Sequence, residues 1–278
     1  MKLSKKLLAI TALAAAFAAP AQAQDKSVKF VLDFVPLGRH APWYVALAKG
    51  YFKDEKLDVS ILPSKGTADA IRMVESGIAE LGLVDVPSLV ASGSAGANIR
   101  MVAVNYQKPP YCVFSLNPGA NVSSPKDMVS LEIGSSTSSF VPQIFRAFMQ
   151  MNGQDGSSLK VVNIDGAARV PMLAARKVAA IDTFLMSEPS IRRAVTGAQP
   201  KCLFLGDYGL DIYSNGIGVK DSYLKANPDV VKGFVRAALR GWQYALNNPE
   251  EAARLQIQYI KALDPQVAAE EIQILRRV

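Results

Sequence analysis

From Val28 onward, short β-branched apolar runs alternate with stretches whose apolar residues recur at helical spacing. Such alternation predicts layered α/β units around a mostly parallel sheet. The run Val28 to Phe34 reads as a first strand, and Pro42 to Lys49 as the following helix, stopped at Gly50. Leu57 to Leu62 alternates apolar and polar positions as a half-buried strand does. Within Thr67 to Ser76, the residues Ala70, Ile71 and Val74 share a face, with Thr67 placed to cap the helix and Gly77 to stop it. Strands are predicted over Leu81 to Val84 and Ile99 to Val104, with a helix between them over Pro87 to Ser92.

The texture changes at Lys108-Pro109-Pro110, which precede an apolar run, Tyr111 to Leu116, and a loop-rich stretch, Asn117 to Lys126. That segment suits a crossover into a second lobe. Strands then follow at Leu131 to Gly134, Leu159 to Ile164, Ala180 to Phe184 and Cys202 to Leu205. The helices between them are expected over Phe140 to Met151, Ala167 to Arg176 and Pro189 to Val195. Tyr213 to Val219 reads as a return to the first lobe, and the remainder is helical. Asn227-Pro228 and Asn248-Pro249 each pair a capping side chain with proline at the first helical position. Val231, Phe234, Val235, Ala238, Trp242 and Ala245 form an apolar stripe that reads as core. The predicted organisation is a first lobe of residues 24–115 plus 214–278, a second of residues 116–213, and a ligand cleft between them at the carboxyl ends of the strands.

Length and composition agree with this and narrow the chemistry. A chain of 278 residues, half of them hydrophobic and 20% charged, can bury two cores and is neither disordered nor a stapled miniprotein. Of the formal charge of +7, three units come from Lys2, Lys5 and Lys6, and no later stretch interleaves Lys and Arg with aromatics, so no nucleic-acid partner is expected. Those lysines, the apolar run Leu7 to Ala19, Pro20 and the triplet Ala21-Gln22-Ala23 read as a secretory signal peptide over residues 1–23. The run is shorter than the ~20 residues that cross a bilayer, so it is not read as an anchor. In an exported protein, Cys112 and Cys202 could pair or remain buried thiols. His40 is the sole histidine, which excludes a His-rich metal cluster and leaves a Ser-His-Asp enzyme only if His40 is its base.

Recognition groups concentrate where the first strand ends. Phe34 or Trp43 can stack on a planar ligand, Asp33 and His40 can bond to its edge, and Arg39 can neutralise an anionic group. The plainer alternative makes Phe34 and Tyr44 core residues and Arg39 a surface charge. In the second lobe, Ser135, Ser136, Thr137 and Phe140 lie at a strand-to-helix junction where hydroxyls and N–H groups favour an acceptor, and Ser136 and Thr137 are the expected contacts. Glu188 can either accept from a ligand amino group or cap its helix; Asp85 and Tyr106 follow first-lobe strands and join the candidates, whereas Asp182 is expected to be structural. No glycine-rich phosphate fingerprint occurs, so no nucleotide cofactor is expected.

Asp33-Phe34-Val35-Pro36, His40-Ala41-Pro42-Trp43-Tyr44-Val45-Ala46 and Lys49-Gly50-Tyr51-Phe52-Lys53-Asp54-Glu55-Lys56-Leu57-Asp58-Val59 give the chain a resemblance to a known family. It resembles the substrate-binding proteins of ABC importers for sulfonates, nitrate, taurine and thiamine pyrimidine precursors, with further support from Ala79-Glu80-Leu81-Gly82, Gly134-Ser135-Ser136 and Glu188-Pro189. The resemblance implies a type II periplasmic-binding fold with two α/β lobes joined by two hinge strands. It also implies a monomer in the periplasm that captures a small-molecule solute without cofactor or catalysis and delivers it to an ABC permease of the inner membrane. The thiamine-pyrimidine subgroup looks nearest, because there an acidic or amide residue and an aromatic ring end the first strand, as Asp33 and Phe34 do here. Departures stand at Phe34, where many relatives have Trp, at Lys56, where many have Gly, and at Leu37-Gly38-Arg39. Capture of a sulfonate or nitrate would instead lean on Arg39 and the helix start at Ser136. Fungal relatives on this scaffold are pyrimidine synthases using a pyridoxal cofactor, iron and a cysteine cluster, and this chain has no such cluster. Relatives usually continue in helix beyond Ile274 to Val278, which reads as an interrupted helix.

Overall fold

A computed structural model describes residues 25–139 and 141–278, so the expected leader and Phe140 lie outside the described residues. The strands in chain order are β1 (Lys26–Val31), β2 (Leu57–Leu62), β3 (Leu81–Asp85), β4 (Ile99–Val104), β5 (Tyr111–Asn117), β6 (Glu132–Ser135), β7 (Lys160–Asn163), β8 (Ala180–Phe184), β9 (Gln199–Phe204) and β10 (Asn215–Lys220). They form two five-stranded sheets, ordered β2-β1-β3-β10-β4 and β7-β6-β8-β5-β9. Each has three parallel strands followed by one antiparallel strand and an edge strand. The sheets are therefore mixed rather than mostly parallel, because β5 and β10 are the strands that enter from the opposite half and so run against their neighbours.

The helices follow the strands as α1 (Ala41–Ala48), α2 (Tyr51–Asp54), α3 (Thr67–Glu75), α4 (Val86–Ser94), α5 (Val141–Met151), α6 (Arg169–Ala174) and α7 (Glu188–Ala194). After β10 come α8 (Asp221–Ala226), α9 (Pro228–Asn247), α10 (Pro249–Ile257) and α11 (Pro265–Ile274). Trp43 of α1 packs its ring 4.5 Å from Phe30 of β1, 6.3 Å from Phe234 and 5.9 Å from Trp242 of α9. These buried rings weld α1 and α9 onto the first sheet, each contributing roughly 1.5–3 kcal/mol of burial. Most of the predicted stripe on α9 is buried, with Val235 partly so.

Local chemistry departs from expectation at three places. β1 ends at Val31, and Asp33 to Val35 form a bend instead of continuing the strand. The cap of α3 is Gly66, at φ +143°, while the Thr67 hydroxyl accepts from the Asp85 backbone N–H at 3.3 Å. Asn227 and Asn248 precede proline-led helices as predicted but do not cap them. Their amides donate backward to the carbonyls of Tyr223 and Tyr244, closing the end of the preceding helix.

Cys112 of β5 and Cys202 of β9 form a disulfide with Cα atoms 5.5 Å apart, tying neighbouring strands 90 residues distant in sequence. Closing a loop of that length restricts the unfolded chain strongly. We expect Cys112→Ala combined with Cys202→Ala to lose about 2–4 kcal/mol of stability in denaturant unfolding, with native circular dichroism retained. Equal midpoints for the parent and the double variant would contradict this role.

Candidate functional site

A cleft of about 500 Å³, measured out to its open mouth, lies between the sheets at the carboxyl ends of β1, β3, β6 and β8. The first sheet contributes Asp33, Phe34, Leu37 and Arg39 after β1, Lys65 to Thr67 at the start of α3, and Asp85 at the end of β3. The second contributes Ser136, Ser138 and Ser139 after β6, Arg169 of α6, and Thr183 and Phe184 of β8. The walls meet at two glycines: a Cβ on Gly66 would lie 2.6 Å from that of Ser138, and one on Gly166 would lie 2.8 Å from the Phe34 ring. Such contacts leave no room for side chains and correspond to closed lobes.

Asp33 organises the first wall. Its carboxylate, 5% exposed, accepts from Arg39 Nη1 at 2.9 and 3.0 Å, from His40 Nε2 at 2.8 Å and from Asn215 Nδ2 at 2.8 Å. The tautomer of His40 is fixed, because the Leu37 backbone N–H donates to Nδ1 at 2.9 Å and the ring proton must then sit on Nε2. Burial alone would raise the Asp33 pKa, but the Arg39 charge and the bonds from His40 and Arg39 hold it at about 2. Burial, joined by the Arg39 charge, pushes His40 down to about 4, so its ring is neutral. Arg39 also lies 4.8 Å over the Phe184 ring, carrying the first wall onto the second sheet.

Asp85 has a different environment. It caps α4 by accepting from the Ser88 N–H at 2.7 Å and the Ser88 hydroxyl at 3.2 Å, but no cationic side chain pairs with it among the described residues. Burial raises its carboxyl to about 6 against those Ser88 bonds. Across the cleft, Arg169 is matched to Asp182 at 3.1 Å, donates to the Asp182 carbonyl at 2.8 Å and stands 5.5 Å over the Phe34 ring. Asp182 is fully buried and also accepts from the Ser139 hydroxyl, in keeping with its expected structural part.

The structure thus places Asp33, Phe34, Arg39, Asp85 and Ser136 on the cleft. His40 lies behind it as a partner of Asp33, and Thr137 stands farther out, in a mouth that also includes Phe34, Lys65 and Asn163. Trp43 does not reach the cleft, being sealed among Phe30, Phe234 and Trp242. Tyr106 is buried beneath it, edge-on to Phe184 and Trp242. Ser135 is the buried last residue of β6, one position short of the lining. Glu188 faces outward, both its carboxylate oxygens accepting from Arg192 Nη1 at 2.9 and 3.0 Å one helical turn away. Phe140 lies outside the described residues. The sequence reading missed Lys65, Arg169, Thr183, Phe184 and Asn215; of these, only Phe184 carried a local signal, as an aromatic residue ending a predicted strand.

The family described as NMT1/THI5 like matches residues 38–252 of the chain. The formylaminopyrimidine-binding protein of Halalkalibacterium halodurans is 26% identical over 90% of this chain and 76% of its own length. The riboflavin-binding protein RibY of Chloroflexus aurantiacus is 28% identical over 96% of this chain and 76% of its own. Among solved structures, the alkanesulfonate-binding protein SsuA from Xanthomonas axonopodis pv. citri, bound to MOPS, is similar with a TM-score of 0.75 at 12% identity. That match covers 90% of this chain and 84% of the other, and shows a shared two-lobe periplasmic-binding fold.

The depressed pKa of His40 gives stability a defined pH dependence. The unfolded ring binds a proton near its ordinary 6.5 and the folded ring only near 4, so the contribution of His40 to stability should fall as pH drops through that window. In His40→Gln, chemical denaturation at stepped pH should show roughly 2–3 kcal/mol less loss of stability than the parent as pH falls across the window. Identical slopes would mean that His40 is not held neutral.

Proposed function

The chain belongs to the NMT1/THI5-like family, and from that premise we propose that it is the solute-capturing component of an ABC import system, closing its lobes on a flat, nitrogen-containing aromatic ring in the periplasm. The observation that carries the reading is the distribution of charge on the cleft. Both guanidiniums on the cleft are already matched, buried Arg39 by Asp33 and half-buried Arg169 by Asp182, while Asp85 has no cationic partner among the described residues. A ring bearing N–H donors supplies what Asp85 lacks, whereas an anion would meet its unmatched charge. Phe34 and Phe184 offer ring faces or edges from opposite walls, suited to a planar solute. The relatives named for formylaminopyrimidine and riboflavin bind flat nitrogen heterocycles, which supports the same class.

Capture follows from geometry without a chemical step. Contacts made by the solute to both walls exist only in the closed form, so binding shifts the lobes toward closure. The closed surface is then what a permease would recognise. The competing anion reading rests on exposed Lys65 and on the hydroxyl-rich turn after β6, and it requires an anion to be accepted beside Asp85.

A thermal-shift screen should show stabilisation by aminopyrimidines or larger nitrogen heterocycles and none by alkanesulfonates or nitrate, and the opposite ranking would overturn the proposal. Phe34→Ala should weaken binding of the active compound by about 1–3 kcal/mol through lost ring burial. Asp85→Asn keeps the cap acceptor but removes the charge, so titration calorimetry should show binding weakened by about tenfold. Because the folded Asp85 carboxyl titrates near 6 rather than its ordinary 3.8, the Asp85 contribution to the stability of the solute-free parent should decline as pH rises between those values, opposite in sign to that of His40. Asp85→Asn should lack that loss and unfold later than the parent at pH 7.

A further inference from the structure

Glu271 of α11 is only 2% exposed and does not line the cleft, yet its hydrogen bonds run to both halves of the molecule. Oε2 accepts from the backbone N–H of Arg39 at 3.3 Å, in the turn that follows β1. Oε1 accepts from the Ser190 hydroxyl at 2.5 Å, on α7 beside the second sheet. On the same helix Glu270 pairs with Arg192, and just before it Asp264 pairs with Arg193 at 2.9 Å. Helix α11 thus packs on the Gly38–His40 turn and on α7 together, a third link beside the two chain crossovers.

The seating is close enough to transmit displacement. A Cβ on Gly38 would lie 2.5 Å from the Ala268 Cα and 2.9 Å from Glu271 Oε2, so no side chain fits between turn and helix. Leu37, one residue earlier, lines the solute cleft in front and a second cavity of about 620 Å³ behind, bounded by Ser190, Arg193, Asp264 and Glu271. The turn that brings Arg39 onto Asp33 is therefore held from the rear by a carboxylate that also grips the other half. A buried carboxylate is costly unless its acceptor sites are filled, so parting α7 from α11 would strip it of the Ser190 donor.

We infer that Glu271 is a positioning residue for lobe closure: by joining the Arg39 turn to Ser190, it favours the closed register of the lobes and couples the cleft wall to α7. The inference is independent of which solute the cleft takes, since it concerns the equilibrium of the empty protein. A contact present only in the closed form raises the closed population by the free energy of that contact.

The test is pulsed electron paramagnetic resonance on the solute-free full chain, with nitroxides attached through Lys65→Cys and Ala167→Cys, two exposed positions on the same mouth. The native cysteines are paired and do not take the label. Ser190→Ala should lower the ratio of short to long distances by about fivefold, the effect of losing one hydrogen bond. Glu271→Ala should lower it further, and Glu271→Gln, which still offers an acceptor to the Arg39 N–H, should lie between the parent and Glu271→Ala. Arg236→Ala, which breaks a largely exposed pair with Glu55 away from both walls, should leave the ratio within error. Distance distributions that superimpose for the parent, Ser190→Ala and Glu271→Gln would overturn the inference, as would a parent with no short-distance population. Should Glu271→Ala fail to fold, Ser190→Ala still decides the matter, because it removes one hydroxyl.

Discussion

A carboxylate that has lost its water must be answered by neighbouring donors, and Asp33 is the point at which this molecule meets that constraint. Its three partners come from two places in the chain: Arg39 and His40 from the turn just after β1, and Asn215 from the first residue of β10. Removing any of them leaves a buried charge short of a donor, a loss of several kcal/mol in comparable settings. The bend after β1, the neutral tautomer of His40, the orientation of Arg39 over Phe184 and the attachment of the returning strand are consequences of one arrangement. A guanidinium so engaged is structural first, and only its outer surface remains for a solute.

This shifts the burden of selectivity to groups that are less committed. Asp85 caps a helix with its two oxygens and has no cationic partner among the described residues, and the rings of Phe34 and Phe184 stand on opposite walls. Related binding proteins are named for solutes as different as a formylaminopyrimidine and riboflavin. A scaffold of this kind can keep the Asp33 cluster as framework while residues around it set what is admitted.

Much of the fold was legible in the sequence, and the reasons differ from element to element. Leu57–Leu62, Ile99–Val104 and Ala180–Phe184 were read at their observed limits because their apolar runs are flanked by residues that break the pattern. β1 was read too long, since Leu32 and Phe34 continue the apolar periodicity through a bend fixed by contacts to distant residues. Trp43 could not be assigned to core or cleft without knowing which side of α1 meets α9. Glu188 was misread as facing the cleft although Arg192, four residues on, was visible as a helical partner. The bond between Asp33 and Asn215 spans 182 residues, and no local pattern can reveal such a partner. The antiparallel entry of β5 and β10 likewise depends on the path between halves, which periodicity does not encode.

The position of β10 between β3 and β4 has a consequence for assembly in time. A nascent chain emerging from its amino end completes all strands of the second sheet by Phe204, but the first sheet still lacks its penultimate strand. Until Asn215–Lys220 arrives, β3 and β4 have no bridge between them, and Asp33 has no amide from Asn215. The half that begins first is therefore the half that finishes last, and its early strands must wait with bare edges, which are liable to pair with the wrong neighbour.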